Sequence, residues 1–227
     1  MNYDITHKNI QESKVLEYLE EKKFARVIDV GGVQRPWAVQ YVTAYVDLIH
    51  PFEWRKRYPD MYNNECFWKA DLITGNIEYK DVQSKLLQEV DQNGLYDFAI
   101  CTQVIEHLGN PGDFLDVLSR IAKGGFISVP NKYFELQKGI HWDQPFRGSL
   151  AHRWISTIRD DTLWMFPKLG FLEHLELDEV ENESLIGELG FMWRDSIPYR
   201  VVDDSNIGPP DPMEAIEFFK REILIGA

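Results

Sequence analysis

A chain of 227 residues, 44 % hydrophobic and 27 % charged, has ordinary globular composition, which excludes a disordered or collagen-like protein. At about 150 residues per domain, the length predicts one enlarged domain rather than two. The formal net charge of −13 argues against a nucleic-acid partner, because holding a polyanion depends on Lys and Arg displacing its counterions.

The start, Met1-Asn2-Tyr3-Asp4, has no basic region ahead of an apolar stretch, so no signal peptide is expected. No apolar run reaches the roughly 18 residues of a membrane span, and the expectation is a cytoplasmic protein without a membrane partner. Cys66 and Cys101 are too few for a disulfide framework and read as buried thiols in strand-like runs.

Along the chain, Val15, Tyr18 and Leu19 lie at helical spacing and predict an amphipathic helix from about Ile10 to Lys22. Ala25 to Val30 is a β-branched run entering Gly31-Gly32, which reads as a strand and a tight turn. Ala44 to Ile49 predicts a second strand and Cys66 to Asp71 a third. Val82, Leu86, Leu87 and Val90 mark a helix, and Tyr96 to Cys101 a fourth strand. Asn110-Pro111 opens a helix ended by Gly124-Gly125, and Phe126 to Val129 is a fifth strand. This alternation predicts βαβ units in a parallel sheet covered on both faces.

After Pro130 the rhythm changes to an aromatic-rich stretch. Asp160-Asp161-Thr162 predicts a helix cap, with the helix reaching Lys168, then a sixth strand over Phe171 to Leu177. Gly190 to Arg194 and Pro198 to Val202 predict a final bent strand or hairpin, and a short helix is expected around Ala215 to Ile223. The organisation expected is a single domain over 1–227. It comprises an N-terminal helix (1–24), an insertion at 131–170 that would meet an acceptor, and a C-terminal tail (203–227).

In an open parallel sheet the ligand lies beyond the carboxyl ends of the strands. The residues there are Asp29 with Gly31-Gly32, Asp47, Asp71-Leu72, and Thr102-Gln103. Asp47 follows Asp29 by 18 residues, about the distance between successive strand ends across a short helix. Carboxylates at these positions can accept from ribose hydroxyls or an exocyclic amine, and glycine lets the backbone approach a bulky ligand.

On these residues the chain resembles the class I S-adenosylmethionine-dependent methyltransferases, over about residues 25–202 and most clearly Val27 to Asn131. Ala25-Arg26-Val27-Ile28-Asp29-Val30-Gly31 resembles the first motif, Tyr96 to Leu108 the fourth-strand motif, and Gly124 to Asn131 the strand after it. The resemblance implies a Rossmann-like α/β sandwich with a mostly parallel seven-stranded sheet, order 3-2-1-4-5-7-6, and helices on both faces. It implies S-adenosylmethionine as cofactor, held by Asp29, Gly31, Gly32, Asp47 (ribose), Asp71 and Leu72 (adenine), Thr102 and Gln103. The family's further loop glycines are replaced here by Val33 and Arg35, before Pro36.

Gln103-x-x-Glu106-His107 is similar to the metal-binding Glu-x-x-Glu-His of small-RNA 2′-O-methyltransferases, where a more distant residue completes the site. Gln103 stands where the first Glu belongs, removing a charge that a hard cation favours, so no metal ligand is assigned. In the insertion, His141, Asp143 and His152 are the candidate catalytic residues, since O-methylation needs the acceptor proton removed near neutral pH. The expected activity is methylation of a small-molecule acceptor, a sugar or glycan precursor. Two alternatives stay open. An RNA 2′-O-methyltransferase is suggested by Glu106-His107 and opposed by the charge. A non-catalytic member of the fold, binding a nucleoside ligand or a partner protein, is suggested by Val33 and Arg35. The sequence carries no signal for oligomeric state.

Overall fold

Short β-branched and aromatic runs, each too brief to form a helix, supply the strands of one central sheet. The computed structural model describes residues 11–32, 37–47, 66–69, 77–139, 145–174, 187–202 and 212–221. Strands β1 (Val27–Val30), β2 (Ala44–Asp47), β3 (Cys66–Lys69), β4 (Phe98–Thr102) and β5 (Gly124–Pro130) pair in parallel in the order β3-β2-β1-β4-β5. Strand β8 (Glu188–Arg194) closes the sheet antiparallel to β5, from Gly124 opposite Arg194 to Pro130 opposite Glu188.

Helix α1 (Glu12–Lys22) covers one face, with Val15, Tyr18 and Leu19 packed among Val27, Tyr45, Phe98, Ile100 and Phe126. On the other face lie α2 (Ile77–Asn93) and α3 (Pro111–Ile121), whose Val82, Leu86, Phe114, Leu115 and Leu118 join Ile28, Val46, Ala99 and Ile127. Asn110 caps α3 by accepting from the Asp113 N–H at 3.3 Å, with Pro111 in the first turn, where a missing donor costs nothing. Gly124-Gly125 does not end α3 but opens β5, where a Cβ on Gly125 would meet the Ala99 carbonyl at 2.3 Å.

Further expectations are corrected. Asp160 to Lys168 is not a helix. Strands β6 (Trp154–Arg159) and β7 (Thr162–Pro167) form an antiparallel hairpin whose two turn residues, Asp160 and Asp161, have φ of 46° and 56°. A left-handed pair is what a tight two-residue hairpin turn requires, and Asp tolerates it better than most residues. Leu163 and Met165 face the main core while Trp164 and Phe166 face a smaller cluster with Leu136, Ile155, Leu172 and Phe218. That is the two-residue alternation of a strand between two apolar layers.

The sixth strand expected over Phe171 to Leu177 begins as a 3-10 turn, Gly170–His174, and residues 175–177 lie outside the described residues. The central sheet therefore has six strands among the described residues. The closing segments are not a hairpin either. After β8 the chain crosses to β9 (Tyr199–Val201), which pairs parallel with β7 to make a second sheet, β6-β7-β9. A short helix α4 (Lys132–Leu136) leads into this sheet, and α5 (Pro212–Phe219) places Phe218 against its outer cluster. Residues 37–43, between β1 and β2, make turns with Tyr41 N–H donating to the Ala38 carbonyl at 2.9 Å, where a short helix was expected.

Replacing Asp160-Asp161 by Asn-Gly suits the left-handed turn and is expected to raise stability by about 0.5–1 kcal/mol. A higher urea midpoint at unchanged slope is the readout. Glycine in a helix over this stretch would lower the midpoint instead.

Candidate active site

The carboxyl ends of β1, β2 and β4 lie side by side, so the residues that finish these strands share one edge. Asp29 and Asp47 are both buried there, 3 % and 5 % exposed. Asp29 Oδ1 accepts from the Gly32 N–H at 3.0 Å, and the Gly31 N–H donates to the Val46 carbonyl at 2.7 Å. The turn demands its glycines. Gly31 has φ of 86° and a Cβ there would meet Val104 Cγ2 at 2.3 Å; a Cβ on Gly32 would meet Asp29 Oδ1 at 2.3 Å. Burial, and then the neighbouring Asp47 carboxylate, pushes the Asp29 carboxyl up to about 7.

Thr102 and Gln103 end β4 on the same edge. The Trp37 indole N–H donates to Thr102 Oγ1 at 3.3 Å. Gln103 turns the chain with φ of 56°, and its amide donates to Glu188 Oε1 on β8 at 2.9 Å. Asp71 and Leu72 lie outside the described residues, as do Val33, Arg35 and Pro36.

Just past β4, the 3-10 turn Ile105–His107 buries Glu106, 1 % exposed, and neither carboxylate oxygen has a hydrogen-bond partner among the described residues. Burial, with the Glu135 and Glu188 carboxylates adding to it, pushes the Glu106 carboxyl up to about 8. Beside it stand two imidazoles. His107 Nδ1 lies 3.2 Å from the Ala151 carbonyl, and the His107 and His152 rings meet edge to face at 4.7 Å between centroids. Burial, and next the second imidazole, holds the His107 pKa below its usual value. His152 Nδ1 is bound to Glu135 Oε1.

A carbonyl and a carboxylate only accept, so each Nδ1 carries a hydrogen, and in the neutral imidazole each Nε2 keeps a lone pair. His107 Nε2 is 3.9 Å from Glu106 Oε1. One ligand atom from each of Glu106, His107 and His152 lies within 4.8 Å of the others. Two imidazoles and a carboxylate with open positions suit a first-row divalent cation. Glu106, buried without a donor among the described residues, is the group such a cation would satisfy.

Sequence reasoning kept His152 apart from Glu106-His107, whereas the fold brings them together. His141 and Asp143 lie outside the described residues. Glu135, Lys168, Glu188 and Trp37 were not singled out, and no local pattern marks them.

The sequence profile of a methyltransferase-domain family matches residues 4–172. No curated protein sequence matches the chain significantly. Among solved structures, the chain is similar to the methyltransferase domain of bacterial CtHen1, at 15 % identity and a TM-score of 0.42, covering 81 % of this chain and 96 % of that one. It is also similar to the S-adenosylhomocysteine-bound N-terminal domain of EvdMO1, at 12 % identity and a TM-score of 0.37, covering 82 % and 67 %. A third is an S-adenosylmethionine-dependent methyltransferase from Mesorhizobium loti, at 11 % identity and a TM-score of 0.36, covering 85 % and 72 %. The family match spans most of the chain, which therefore belongs to the methyltransferase-domain family, on a Rossmann-like class I sheet. Its methyl donor is S-adenosylmethionine. Buried acids at adjacent strand ends, beside a glycine turn that excludes any Cβ, fit a ligand that brings ribose hydroxyls, an ammonium and a sulfonium.

Asp29 and Glu106 ordinarily ionise at 3.8 and 4.5 but are raised to about 7 and 8 in the fold. Between these limits the unfolded chain has lost both protons and the folded chain retains them. The contribution of these two groups to the stability of the ligand-free protein is thus present below about pH 4 and is lost as pH rises through about 7 to 8. Glu106→Gln is expected to exceed the wild type at pH 8 by on the order of a few kcal/mol. Urea unfolding of both proteins at pH 5 and 8 measures it.

Proposed function

We propose that the protein transfers the methyl group of S-adenosylmethionine to a hydroxyl oxygen of a small-molecule acceptor, a sugar or glycan precursor. The observation that carries this reading is the buried Glu106, without a hydrogen-bond partner among the described residues and flanked by two imidazoles, one strand end away from the acids proposed to hold the cofactor.

The cofactor supplies an activated methyl on a sulfonium. Asp47, buried at the end of β2, accepts from the ribose hydroxyls, while the turn after Asp29 lets the backbone come close. Thr102 and Gln103, at the end of β4, border the same edge. A hydroxyl acceptor must lose its proton as the new C–O bond forms. His152 Nε2 is the acceptor for that proton, its lone pair left free by the bond at Nδ1. His107, with its Nδ1 spoken for by the Ala151 carbonyl, presents a second lone pair beside it. A divalent cation held by Glu106, His107 and His152 would supply Lewis acidity toward the same hydroxyl. Most of the rate enhancement comes from alignment of acceptor oxygen and methyl carbon.

An RNA 2′-O-methyltransferase is the second reading, favoured by Glu106, His107 and His152 standing together where the sequence pattern resembles that class. The net charge of −13 opposes it. The third alternative, a fold member without catalysis, predicts no response to the methyl donor.

Calorimetry with S-adenosylmethionine and its demethylated product is the first test; no heat at millimolar ligand overturns the enzymatic reading. Asp47→Ala is expected to weaken that binding by roughly 10–100-fold, the loss of a charged hydrogen bond. Transfer of radiolabelled methyl to panels of sugars, glycan precursors and short RNAs then separates the acceptors. His152→Ala is expected to lower kcat by about 10²–10⁴ while leaving cofactor affinity unchanged. RNA binding at low salt that falls steeply as salt rises would transfer the assignment to the second reading.

A further inference from the structure

The carboxylate of Glu135 lies outside the set that meets either ligand, yet it is one of the most completely enclosed acids in the protein, with a side chain 0 % exposed. Its two oxygens are divided between two partners. Oε1 faces His152 Nδ1, and Oε2 accepts from Lys168 Nζ at 2.8 Å. Lys168, itself 8 % exposed, also donates to the Ser149 carbonyl at 2.8 Å.

The strap that carries His152 is moulded onto this carboxylate. Gly148 has φ of 54°, and a Cβ there would lie 2.4 Å from Glu135 Oε2 and 2.7 Å from Glu135 Cα. One end of the strap is fixed by Arg147, buried, whose guanidinium donates to the Leu136 and Leu172 carbonyls. The other end is fixed by the Arg153 N–H, which donates to the Glu106 carbonyl at 2.7 Å. The histidine is thus presented by anchors on both sides and by a buried ion pair beneath it.

We infer that Glu135 is a positioning residue: with Lys168 it fixes the tautomer and ring orientation of His152, so that the lone pair of the neutral ring sits on Nε2 and not on the nitrogen that meets Glu135. The role holds whether Nε2 takes the acceptor proton or binds a cation, since both need the same lone pair. It deepens the function proposed above and rests on that reading for its catalytic consequence. Its structural content, the tautomer of one ring, stands apart from any reaction.

The direction of the effect follows from donor and acceptor counts. Lys168 can only donate, so whichever group replaces the carboxylate must turn an oxygen toward it. In Glu135→Gln the amide oxygen therefore faces Lys168 and the amide NH₂ faces His152. Nδ1 must then accept, and the imidazole proton moves to Nε2, removing the lone pair from the site. A change nearly neutral in shape becomes a switch of tautomer.

Long-range ¹H–¹⁵N correlation spectra of the ligand-free protein, labelled at histidine, read the tautomer directly. The wild type is expected to show His152 with hydrogen on Nδ1, and Glu135→Gln with hydrogen on Nε2. In the double variant Glu135→Gln with Lys168→Met, nothing fixes the amide oxygen, and Nδ1–H is expected to recover in part. With an acceptor in hand, Glu135→Gln should lower kcat by about 10–100-fold, the usual cost of losing such a support, with cofactor affinity by calorimetry unchanged. A wild-type His152 with hydrogen on Nε2 overturns the inference, whatever becomes of the variants. So does a folded Glu135→Gln protein that keeps hydrogen on Nδ1. If no methyl transfer is found but the tautomer switches as described, the function proposed above fails while the assignment of Glu135 stands.

Discussion

A backbone hydrogen bond, Arg153 N–H to the Glu106 carbonyl, ties the second sheet to the turn after β4, next to the Trp154 indole N–H, which donates to the Leu108 carbonyl at 2.6 Å. The meeting of the two imidazoles depends on it. It brings His152 alongside His107, although 45 residues separate them in the chain. The Lys168 N–H donates to the Arg153 carbonyl at 2.8 Å, which continues the same connection into the end of β7. The hairpin β6-β7 is thus more than an embellishment of the sheet. It delivers one imidazole to a turn that already holds a buried acid and another imidazole.

The acids at this edge oppose the stability of the fold that holds them. Asp29 and Asp47 repel one another across neighbouring strand ends, and Glu106 is enclosed with no donor among the described residues. Burying a carboxyl without a donor is costly, and the protein meets that cost by letting the group keep its proton. Such an arrangement is relieved by ligands that bring positive charge or hydrogen-bond donors. In the proposed function the cofactor would bring these to Asp29 and Asp47, and a cation would bring charge to Glu106. Glu135 is the contrasting case, since its partners are built into the protein.

The central sheet was legible because its strands are short apolar runs that end in glycine, proline or an acid. Val27–Val30, Phe98–Thr102 and the run ending at Pro130 all lie where the pattern puts them, and Asp29 and Asp47 could be placed at strand ends from spacing alone. The second sheet was not legible. Asp160-Asp161-Thr162 looks like a helix cap because the same small polar residues serve caps and tight turns. The alternation of Leu163 and Met165 with Trp164 and Phe166 was the contrary signal, hidden because both faces of the strand are apolar. The site shared by Glu106, His107 and His152 was half legible. The local pair carries a pattern, but the third member arrives through tertiary contacts that no spacing encodes. Glu135 and Lys168 are ordinary charged residues in sequence, made unusual only by enclosure.

The path of the chain through its two sheets also governs how the protein comes apart. After β7 it leaves the second sheet, runs the length of β5 as β8, and returns to lay β9 beside β7. Neither sheet can be completed without the other, because the last strand of each is separated from its neighbours by a visit elsewhere. Contacts of such long sequence separation slow folding, since chain closure must precede their reward. They also link the two sheets along one chain path, so the hairpin β6-β7 is expected to unfold together with the central sheet. Synthesis must reach Val201 before the second sheet can close, so most of the polypeptide emerges before the surroundings of His152 can be complete.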